Sequence, residues 1–253
     1  MILNADNYFS TEAQKYYMSA SQLKAFMKCE AAALAEINGE YTREKSVSLL
    51  VGSYIDAYFE GKLELFCNVN PEIFTQTGKL KAEYKQAEQI ISRIERDGLF
   101  MKYMSGQKQV IRTGEIDGVP FKIKIDSYHP KHMIVDLKIM RDFEPVYVKE
   151  QGRLNFIEAW GYDIQGAVYQ AIEGDNLPFV IAAATKEKEP DIGLFEIGQP
   201  ELDLALDIAR ENLIRYDSIK KGLIEPERCG KCDYCKKTKI LDRVKNMEEL
   251  DYE

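Results

Sequence analysis

Residues 118–140, with the sequence GVPFKIKIDSYHPKHMIVDLKIM, alternate apolar and polar side chains over most of their length. This period of two predicts two neighbouring strands, over residues 120–126 and 132–139, joined by a short loop. The first strand is expected to end at Asp126 and the second to carry Asp136, so that two carboxylates lie side by side. Such a pair of strands requires a sheet, and the remaining elements have to cover it.

The second of these strands places charges inside an aliphatic run. Because side chains alternate across a strand, Asp136 and Lys138 share one face with Ile134. The other face is aliphatic throughout, with Met133, Val135, Leu137 and Ile139. Charges in such surroundings are costly unless they are paired. An ordinary solvent-facing strand is the alternative interpretation of the same pattern.

Two carboxylates and an amine at one sheet edge suit a hard cation and a nucleophilic water molecule. In a phosphodiester reaction, Asp126 and Asp136 would hold one or two Mg²⁺ or Mn²⁺ ions. Lys138 would orient the water or stabilise the negative charge that develops on the phosphate. The pattern therefore favours a metal-dependent hydrolytic site.

A helix is predicted over residues 156–173, and it carries a second candidate pair. Gln165 and Tyr169 are one turn apart and project from the same face. They would hold the DNA backbone beside the metals. The alternatives are an ordinary helix surface pair and a tyrosine packed in the core. Asp56 is one turn after Gly52 on another predicted helix, and it is either a metal ligand or an exposed helical carboxylate.

Three more ionisable residues lie close to the strand pair in the sequence. His129 and His132 flank the loop between Asp126 and Asp136, where an imidazole would bind phosphate or face solvent. Glu115 ends the preceding strand and is a candidate metal ligand or an edge-strand carboxylate.

Composition limits the class of protein. A chain of 253 residues with 45% hydrophobic residues builds one large domain or two small ones. No apolar run approaches the roughly 18 residues of a membrane span, and the N-terminus lacks the pattern of a secretory signal, so we expect a cytoplasmic protein without a membrane partner.

The net charge of −8 argues at first against a nucleic-acid partner. That argument is weak here, because bound metals neutralise a carboxylate site. The central hairpin is also locally basic, with Lys122, Lys124, Lys131, Lys138 and Arg141.

Five cysteines are present, and three of them form Cys229-x2-Cys232-x2-Cys235. In a cytosolic chain this spacing indicates metal binding rather than disulfides. A tetrahedral site needs a fourth ligand, and Cys29 is the best candidate because Cys67 falls in a predicted loop. Four thiolates would hold Zn²⁺ or an iron–sulfur cluster and would attach the N-terminal helix to the C-terminal tail. Reduced thiols in a mobile tail are the alternative.

The remaining pattern predicts helices before and after a meander of strands. Helices are expected over residues 19–39, 46–60, 79–96, 156–173 and 201–221, and strands over residues 107–116, 178–185 and 191–197 in addition to the central pair. This order favours an α/β or α+β fold with a mixed central sheet flanked by helices. We divide the chain into an extended lead-in (1–18), a catalytic domain (19–222), and a Cys-rich knuckle with a charged tail (223–253).

The order of the candidate motifs resembles a known superfamily. The motifs are Gly52-x3-Asp56, then Asp126, then Asp136-x-Lys138, then Gln165-x3-Tyr169. This order resembles the PD-(D/E)xK nucleases of the RecB-like branch. It is most similar to the phage-type exonucleases related to the C-terminal domain of RecE, exodeoxyribonuclease VIII. The opening Ser19-Ala-Ser-Gln-Leu-Lys-x4-Cys29 is also similar to that branch, and the resemblance covers roughly residues 16–237.

The resemblance implies a restriction-endonuclease-like fold and assigns roles to the candidate residues. It implies Asp126, Asp136 and the carbonyl of Leu137 as metal ligands and Lys138 as the catalytic lysine. Gln165 and Tyr169 match the Q-x3-Y helix. Asp56 stands where this branch usually has His, which implies a changed metal preference.

The cysteines bear on the same resemblance. Some relatives hold an iron–sulfur cluster with one early and three late cysteines, as at Cys29, Cys229, Cys232 and Cys235. The gap between the last two cysteines is shorter here than is common in those relatives. Bound zinc, or a knuckle without metal, is therefore still an alternative to the cluster.

The function implied by the resemblance is metal-dependent DNA cleavage, by a phage or prophage exonuclease that processes duplex ends for recombination. Implied partners are double-stranded DNA ends, a single-strand annealing protein and further copies of the chain in a homo-oligomer. The alternatives are a non-catalytic nucleic-acid-binding or assembly module built on the Cys site, and an enzyme acting on another phosphate ester.

Overall fold

The computed structural model describes residues 1–43, 46–149, 151–241, 243, 244, 246 and 247. Its helices are α1 (Thr11–Tyr16), α2 (Ala20–Lys28), α3 (Glu30–Asn38), α4 (Val47–Phe59), α5 (Leu63–Val69), α6 (Ala82–Glu95), α7 (Gly98–Tyr103), α8 (Phe156–Ala159), α9 (Tyr162–Glu173), α10 (Gln199–Glu211), α11 (Leu213–Lys220) and α12 (Asp233–Lys237). Its strands are β1 (Gln107–Ile116), β2 (Val119–His129), β3 (Met133–Met140), β4 (Val146–Val148), β5 (Gly152–Leu154), β6 (Phe179–Thr185) and β7 (Ile192–Ile197).

A five-stranded sheet in the order β1-β2-β3-β6-β7 lies at the centre. The β3–β6 pair is parallel and the other neighbours are antiparallel. β4 and β5 form a separate two-stranded hairpin. The predicted mixed α/β sheet flanked by helices is confirmed.

The sheet is covered by apolar side chains on both faces. Phe179 and Ile181 of β6 pack into a core shared with α2, α9 and α10, whereas Val180 and Ala182 pack into a core shared with α4 and α6. A parallel strand buried on both faces is expected to be a nearly continuous apolar run, and β6 is apolar from Phe179 to Ala184 before its last residue, Thr185. On β3, Ile134 joins the first core and Met133, Val135, Leu137 and Ile139 join the second, as the alternation predicts.

The β1–β2 hairpin turns at Asp117 and Gly118, which have φ values of 49° and 77°. Two left-handed residues in succession suit the twist of a two-residue hairpin, and the Asp-Gly pair adopts them readily. The expected end of β2 at Asp126 is wrong. The strand continues to His129, because its last residues still pair with β1 and with β3.

Three of the predicted long helices are interrupted. The helix expected over residues 19–39 breaks at Cys29, whose extended backbone ends α2 and begins α3. The helix expected over residues 156–173 breaks at Gly161, and that over residues 201–221 breaks at Asn212. Helical periodicity in the sequence persists across each break, because both halves bury a face in the same core.

The predicted extended lead-in is also wrong. Residues 11–16 form α1, which Ser10 caps by accepting a hydrogen bond from the Ala13 amide. Met18 pairs with Phe121 beside β2 and is fully buried. The first eighteen residues therefore belong to the folded structure.

Several short elements were not predicted. They are α1, α5, α7, α12 and the β4–β5 hairpin, each too short for a clear period. Cys67 lies on α5 rather than in a loop. Part of the predicted charged tail, residues 242, 245 and 248–253, lies outside the described residues. The division of the chain at residues 18 and 222 stays a prediction. None of the helices in the described ranges is long and apolar enough to cross a bilayer.

Candidate active site

Asp136 and Lys138 project from β3 toward α9. Asp136 is only 2% exposed and forms an ion pair with the ammonium of Lys138. Nε2 of Gln165 on α9 donates a hydrogen bond of 2.7 Å to Oδ1 of Asp136. The sequence-predicted Asp-x-Lys pair and the first residue of the Q-x3-Y pair therefore meet in one place.

Asp126 lies opposite Asp136, where β2 and β3 separate. The paired residues of these strands stop at Ser127 and Val135. At the next position, Oδ2 of Asp126 accepts a hydrogen bond of 3.0 Å from the amide of Leu137. The carboxylate thus takes the place of a strand-to-strand hydrogen bond, and the separation of the strands opens a cavity between them.

Gln109 on β1 also contacts this carboxylate. Its Nε2 donates to Oδ1 of Asp126 at 3.1 Å, and its backbone is left-handed, with φ of 54°. Non-glycine residues rarely adopt this conformation, and when they do they cluster at functional sites. The sequence contains no signal for Gln109, since a glutamine in an edge strand is ordinary.

Asp56 on α4 lines the same cavity of about 520 Å³ as Asp126, Asp136, Lys138 and Gln165. Burial and the charge of Asp126 hold the pKa of Asp56 well above its usual value. Burial and Asp136 likewise raise the pKa of Asp126 to about 6. These carboxylates are held close enough to repel one another in the absence of a cation.

Tyr169 lines this cavity as well, and its hydroxyl donates to the carbonyl of Lys124 at 3.0 Å. It therefore fixes β2 at the cavity wall. Contact of Gln165 and Tyr169 with a DNA backbone stays a prediction.

Basic side chains surround the carboxylates. Lys122 and Lys124 of β2 line the cavity, and Nζ of Lys24 on α2 donates to the carbonyl of Trp160 at 3.2 Å. Burial and the charge of Lys138 lower the pKa of Lys24 to about 8. Tyr8 and Phe9 complete the wall, and nothing in their sequence context predicts this.

Three other candidates lie elsewhere. Nε2 of His129 is 2.8 Å from the carbonyl of Tyr103, and His132 is exposed after the turn. Glu115 is exposed opposite Pro120, at the far end of β1 from Gln109. None of the three lines the cavity.

The four predicted cysteines come together at a separate site. The sulfur atoms of Cys29, Cys229, Cys232 and Cys235 all lie within 4.8 Å of one another. The Sγ atoms of Cys29 and Cys235 are 3.6 Å apart, and no disulfide joins them. The amides of Cys232 and Cys235 each donate a 3.4 Å hydrogen bond to the sulfur three residues earlier. Such bonds favour thiolates, so the donor set fits a soft metal or a cluster.

Comparison with known proteins places the chain in a family. Residues 19–238 match a family described as a PDDEXK-like domain of unknown function (DUF3799). The chain belongs to this PDDEXK-like family. The predicted membership in the PD-(D/E)xK superfamily is thereby confirmed.

One solved structure supports the same assignment. One match is the crystal structure of a protein from Eubacterium rectale that is described provisionally as an exonuclease. Its sequence is 50% identical to that of this PDDEXK-like chain. The structural alignment covers 100% of this chain and 99% of the Eubacterium rectale chain, with a TM-score of 0.95. The structure of SSO0001 is 14% identical over 78% of this chain and 85% of its own; its TM-score of 0.31 carries no argument. No curated protein matches the chain. The family and the Eubacterium rectale protein together support a nuclease.

PDDEXK nucleases generally use divalent metals, and the cavity of this PDDEXK-like domain suits one. Oδ2 of Asp136 is buried without a hydrogen bond, although it pairs with Lys138. Carboxylate oxygens and a backbone carbonyl are the ligands that Mg²⁺ and Mn²⁺ prefer. Among the described residues, the group of His, Cys, Asp and Glu side chains placed closely enough to share a metal ion is the cysteine set. The charges of Asp56, Asp126 and Asp136 repel one another, and a cation would offset that repulsion.

Proposed function

We propose that the protein is a metal-dependent deoxyribonuclease that hydrolyses phosphodiester bonds. The observation that carries the proposal is the convergence of Asp126, Asp136 and Lys138 in one cavity that is rimmed by lysines. Carboxylates alone would repel a phosphodiester. Carboxylates together with an ammonium and a hard cation bind it and activate water against it.

Asp56, Asp126, Asp136 and the carbonyl of Leu137 would hold Mg²⁺ or Mn²⁺. When bound, the cation lowers the pKa of a water molecule and offsets charge on the scissile phosphate. Gln165 orients Asp136 through its hydrogen bond, and the Leu137 amide orients Asp126. These bonds keep both carboxylates facing the cavity.

Lys138 acts as a cation rather than as a base. Although burial lowers it, the charges of Asp136 and Asp126 raise the pKa of Lys138 above its usual value. The ammonium therefore keeps its proton at neutral pH. It donates hydrogen bonds to the attacking water or to the phosphate as negative charge develops there.

We further propose that the enzyme is an exonuclease that acts on ends of duplex DNA. The proposal is supported by the provisional description of the Eubacterium rectale protein and by the motif order. A role in phage or prophage recombination, a single-strand annealing partner, a homo-oligomer and a cytoplasmic location are proposed from the resemblance alone. For the cysteine site, we propose an iron–sulfur cluster or Zn²⁺ with a structural role.

The test is cleavage of matched linear and closed circular duplexes with Mg²⁺, Mn²⁺, Ca²⁺ or a chelator. We expect the wild-type protein to degrade the linear form with Mg²⁺ or Mn²⁺ and to spare the circle. Lys138→Ala should lose cleavage while its thermal unfolding stays cooperative. Lys131→Ala, in the exposed turn after β2, is the matched control. Full cleavage by Lys138→Ala, or none by the wild type with any metal, would reject the mechanism.

A further inference from the structure

A second groove lies against the carboxylate cavity. It has a volume of about 420 Å³ and runs between the N-terminal segment and α4–α5. The two cavities share Tyr8, Phe9, Asp56, Glu60, Gln109 and Lys124. Tyr8 and Phe9 of the N-terminal segment therefore line both the proposed catalytic cavity and this groove.

The groove has an unusually apolar and exposed lining. Phe9, Leu65 and Val69 are 67%, 61% and 66% exposed, respectively. Large apolar side chains grouped beside a charged site commonly mark a binding surface. The volume is within the roughly 300–1,000 Å³ typical of sites for small ligands.

The Phe9 ring is held in place although it is exposed. It packs edge-on against the buried Tyr8 ring with centroids 4.9 Å apart. The Tyr8 carbonyl accepts a 2.6 Å hydrogen bond from Nζ of Lys122, whose side chain is only 1% exposed. A fixed ring loses little conformational freedom on binding, so it offers a ready stacking surface.

The charges beside the ring fit a nucleotide. Nζ of Lys124 lies 5.0 Å from the centre of the Phe9 ring, and Lys62 lines the groove. The two cavities share two acids. Asp56 is one of the proposed metal ligands, and Glu60 is 3.5 Å from Lys62 and 4.0 Å from Lys124. An apolar surface with lysines at its edge suits a base and the phosphate attached to it.

We infer that this groove binds an unpaired nucleobase next to the scissile phosphate and that Phe9 is its stacking platform. This inference rests on the proposed nuclease function. A base within a duplex has both faces stacked, so a base on Phe9 has to leave the helix. The substrate class is therefore a single strand or a frayed duplex end.

The test combines a protein change with a substrate change. We measure kcat/KM with Mn²⁺ on single-stranded oligonucleotides that carry one abasic nucleotide at each of the terminal positions in turn. One abasic position should slow the wild-type enzyme about 5-fold or more, which is the scale of base–aromatic stacking. Phe9→Ala should be slower on the intact strand by a similar factor and insensitive to that abasic position. Phe9→Trp keeps an aromatic face and should therefore keep the sensitivity to that abasic position.

Tyr16→Ala is the matched control. Tyr16 is an exposed aromatic of the same segment with a similar edge contact, 4.7 Å to Tyr17, but it lines neither cavity. It should respond to abasic positions as the wild type does. Equal responses of Phe9→Ala and wild type at every position would overturn the inference, even with cleavage intact. The inference would also be overturned if Phe9→Ala differed from the wild type in molecular mass by light scattering but responded equally to abasic positions. That result would assign the groove to contact with a second copy of the chain.

A binding experiment separates the inference from the proposed function. Oligonucleotides with 2-aminopurine are added to Lys138→Ala and to Lys138→Ala with Phe9→Ala, both with Ca²⁺. Quenching that depends on Phe9 would support the base site even if the wild type cleaves nothing. Equal fluorescence in both proteins would overturn it.

Discussion

The Leu137 amide donates its hydrogen bond to Oδ2 of Asp126 instead of to a backbone carbonyl of β2. Beyond this point the two strands have no paired residues. One carboxylate therefore ends the strand pairing, opens the cavity and fixes its own position opposite Asp136.

Asp126→Asn should stabilise the metal-free protein. The folded-state pKa of Asp126 is raised from 3.8 to about 6 by burial and by Asp136, so stability is lost as the pH rises between these values. The Asn side chain does not ionise, so it avoids this loss. The free energy of unfolding of Asp126→Asn should exceed that of the wild type by on the order of 1–3 kcal/mol at pH 8 and by almost nothing at pH 4. Its Oδ1 can accept from the Leu137 amide, and its Nδ2 can donate to the otherwise unpaired Oε1 of Gln109. Urea unfolding with chelator at both pH values measures the difference; a less stable variant at pH 8 would contradict the charge argument.

Metal binding should reverse the order of stability. Mg²⁺ or Mn²⁺ offsets the repulsion between Asp56, Asp126 and Asp136, so each should raise the melting temperature of the wild type. Asp126→Asn removes a ligand and a charge, and we expect little or no increase. Melting temperatures over a metal titration measure this, with Asp142→Asn as the control, because Asp142 is a half-buried carboxylate after β3 that lines neither cavity. An equal increase in Asp126→Asn and wild type would place the cation elsewhere.

Gln165→Leu should lower metal affinity or activity, while its loss of folding stability should be no larger than that of a matched control. It removes the 2.7 Å hydrogen bond to Asp136, and loss of such a supporting bond typically costs about 10- to 100-fold in metal affinity or activity. Gln170→Leu is the matched control, because Gln170 is a buried glutamine of the same helix that bonds the Leu177 carbonyl instead. Both variants should unfold more easily, but only Gln165→Leu should shift the Mn²⁺ concentration for half-maximal activity. Similar shifts in both would reduce the role of Gln165 to packing.

Cys29→Ser should release the metal or cluster from the cysteine site and lower the melting temperature. Cys29 is the single ligand from the N-terminal half, and it joins the α2–α3 break to the C-terminal knuckle. Cys67→Ser on α5 removes a thiol outside the cluster and should change neither property. Elemental analysis and the visible spectrum of fresh protein measure occupancy and separate zinc from iron and sulfide. Unchanged metal content in Cys29→Ser would exclude it as a ligand.

Lys122→Met should loosen the N-terminal segment and flatten the pH dependence of stability. Burial lowers the pKa of Lys122 to about 8. The unfolded chain binds this proton near pH 10.5 and the folded chain only near pH 8, so stability falls as the pH drops between these values. The variant should lose this dependence, and residues 1–10 should become sensitive to proteolysis because the bond to the Tyr8 carbonyl is gone. Lys15→Met, an exposed lysine of α1, is the control; equal protease resistance in both variants would argue against the anchor.

The sequence indicated the catalytic strand because the signal is local. Alternation along β3 placed Asp136 and Lys138 on the face opposite the aliphatic side chains. Local preference also explains two helix ends: Asn155 accepts from two amides at the start of α8, and Gly174 ends α9 in a left-handed conformation. Each of these features depends on residues within a few positions of one another.

The sequence predicted the residues of the cysteine site and of the carboxylate site. Only the fold shows which backbone conformations position them. Cys29 breaks a helix whose periodicity continues across it, and Asp126 sits inside a strand that seemed to end there. In both cases the backbone follows contacts with distant residues rather than local preference.

The sequence by itself determined the strand pair, the mixed sheet and the residue types of the site. Tertiary structure alone decided that Gln109 donates a hydrogen bond to Asp126 and that Tyr8 and Phe9 line the cavity. The physical reason is distance along the chain: propensity and periodicity act over one or two turns, whereas the cavity is built by segments about a hundred residues apart whose meeting depends on how the whole core packs.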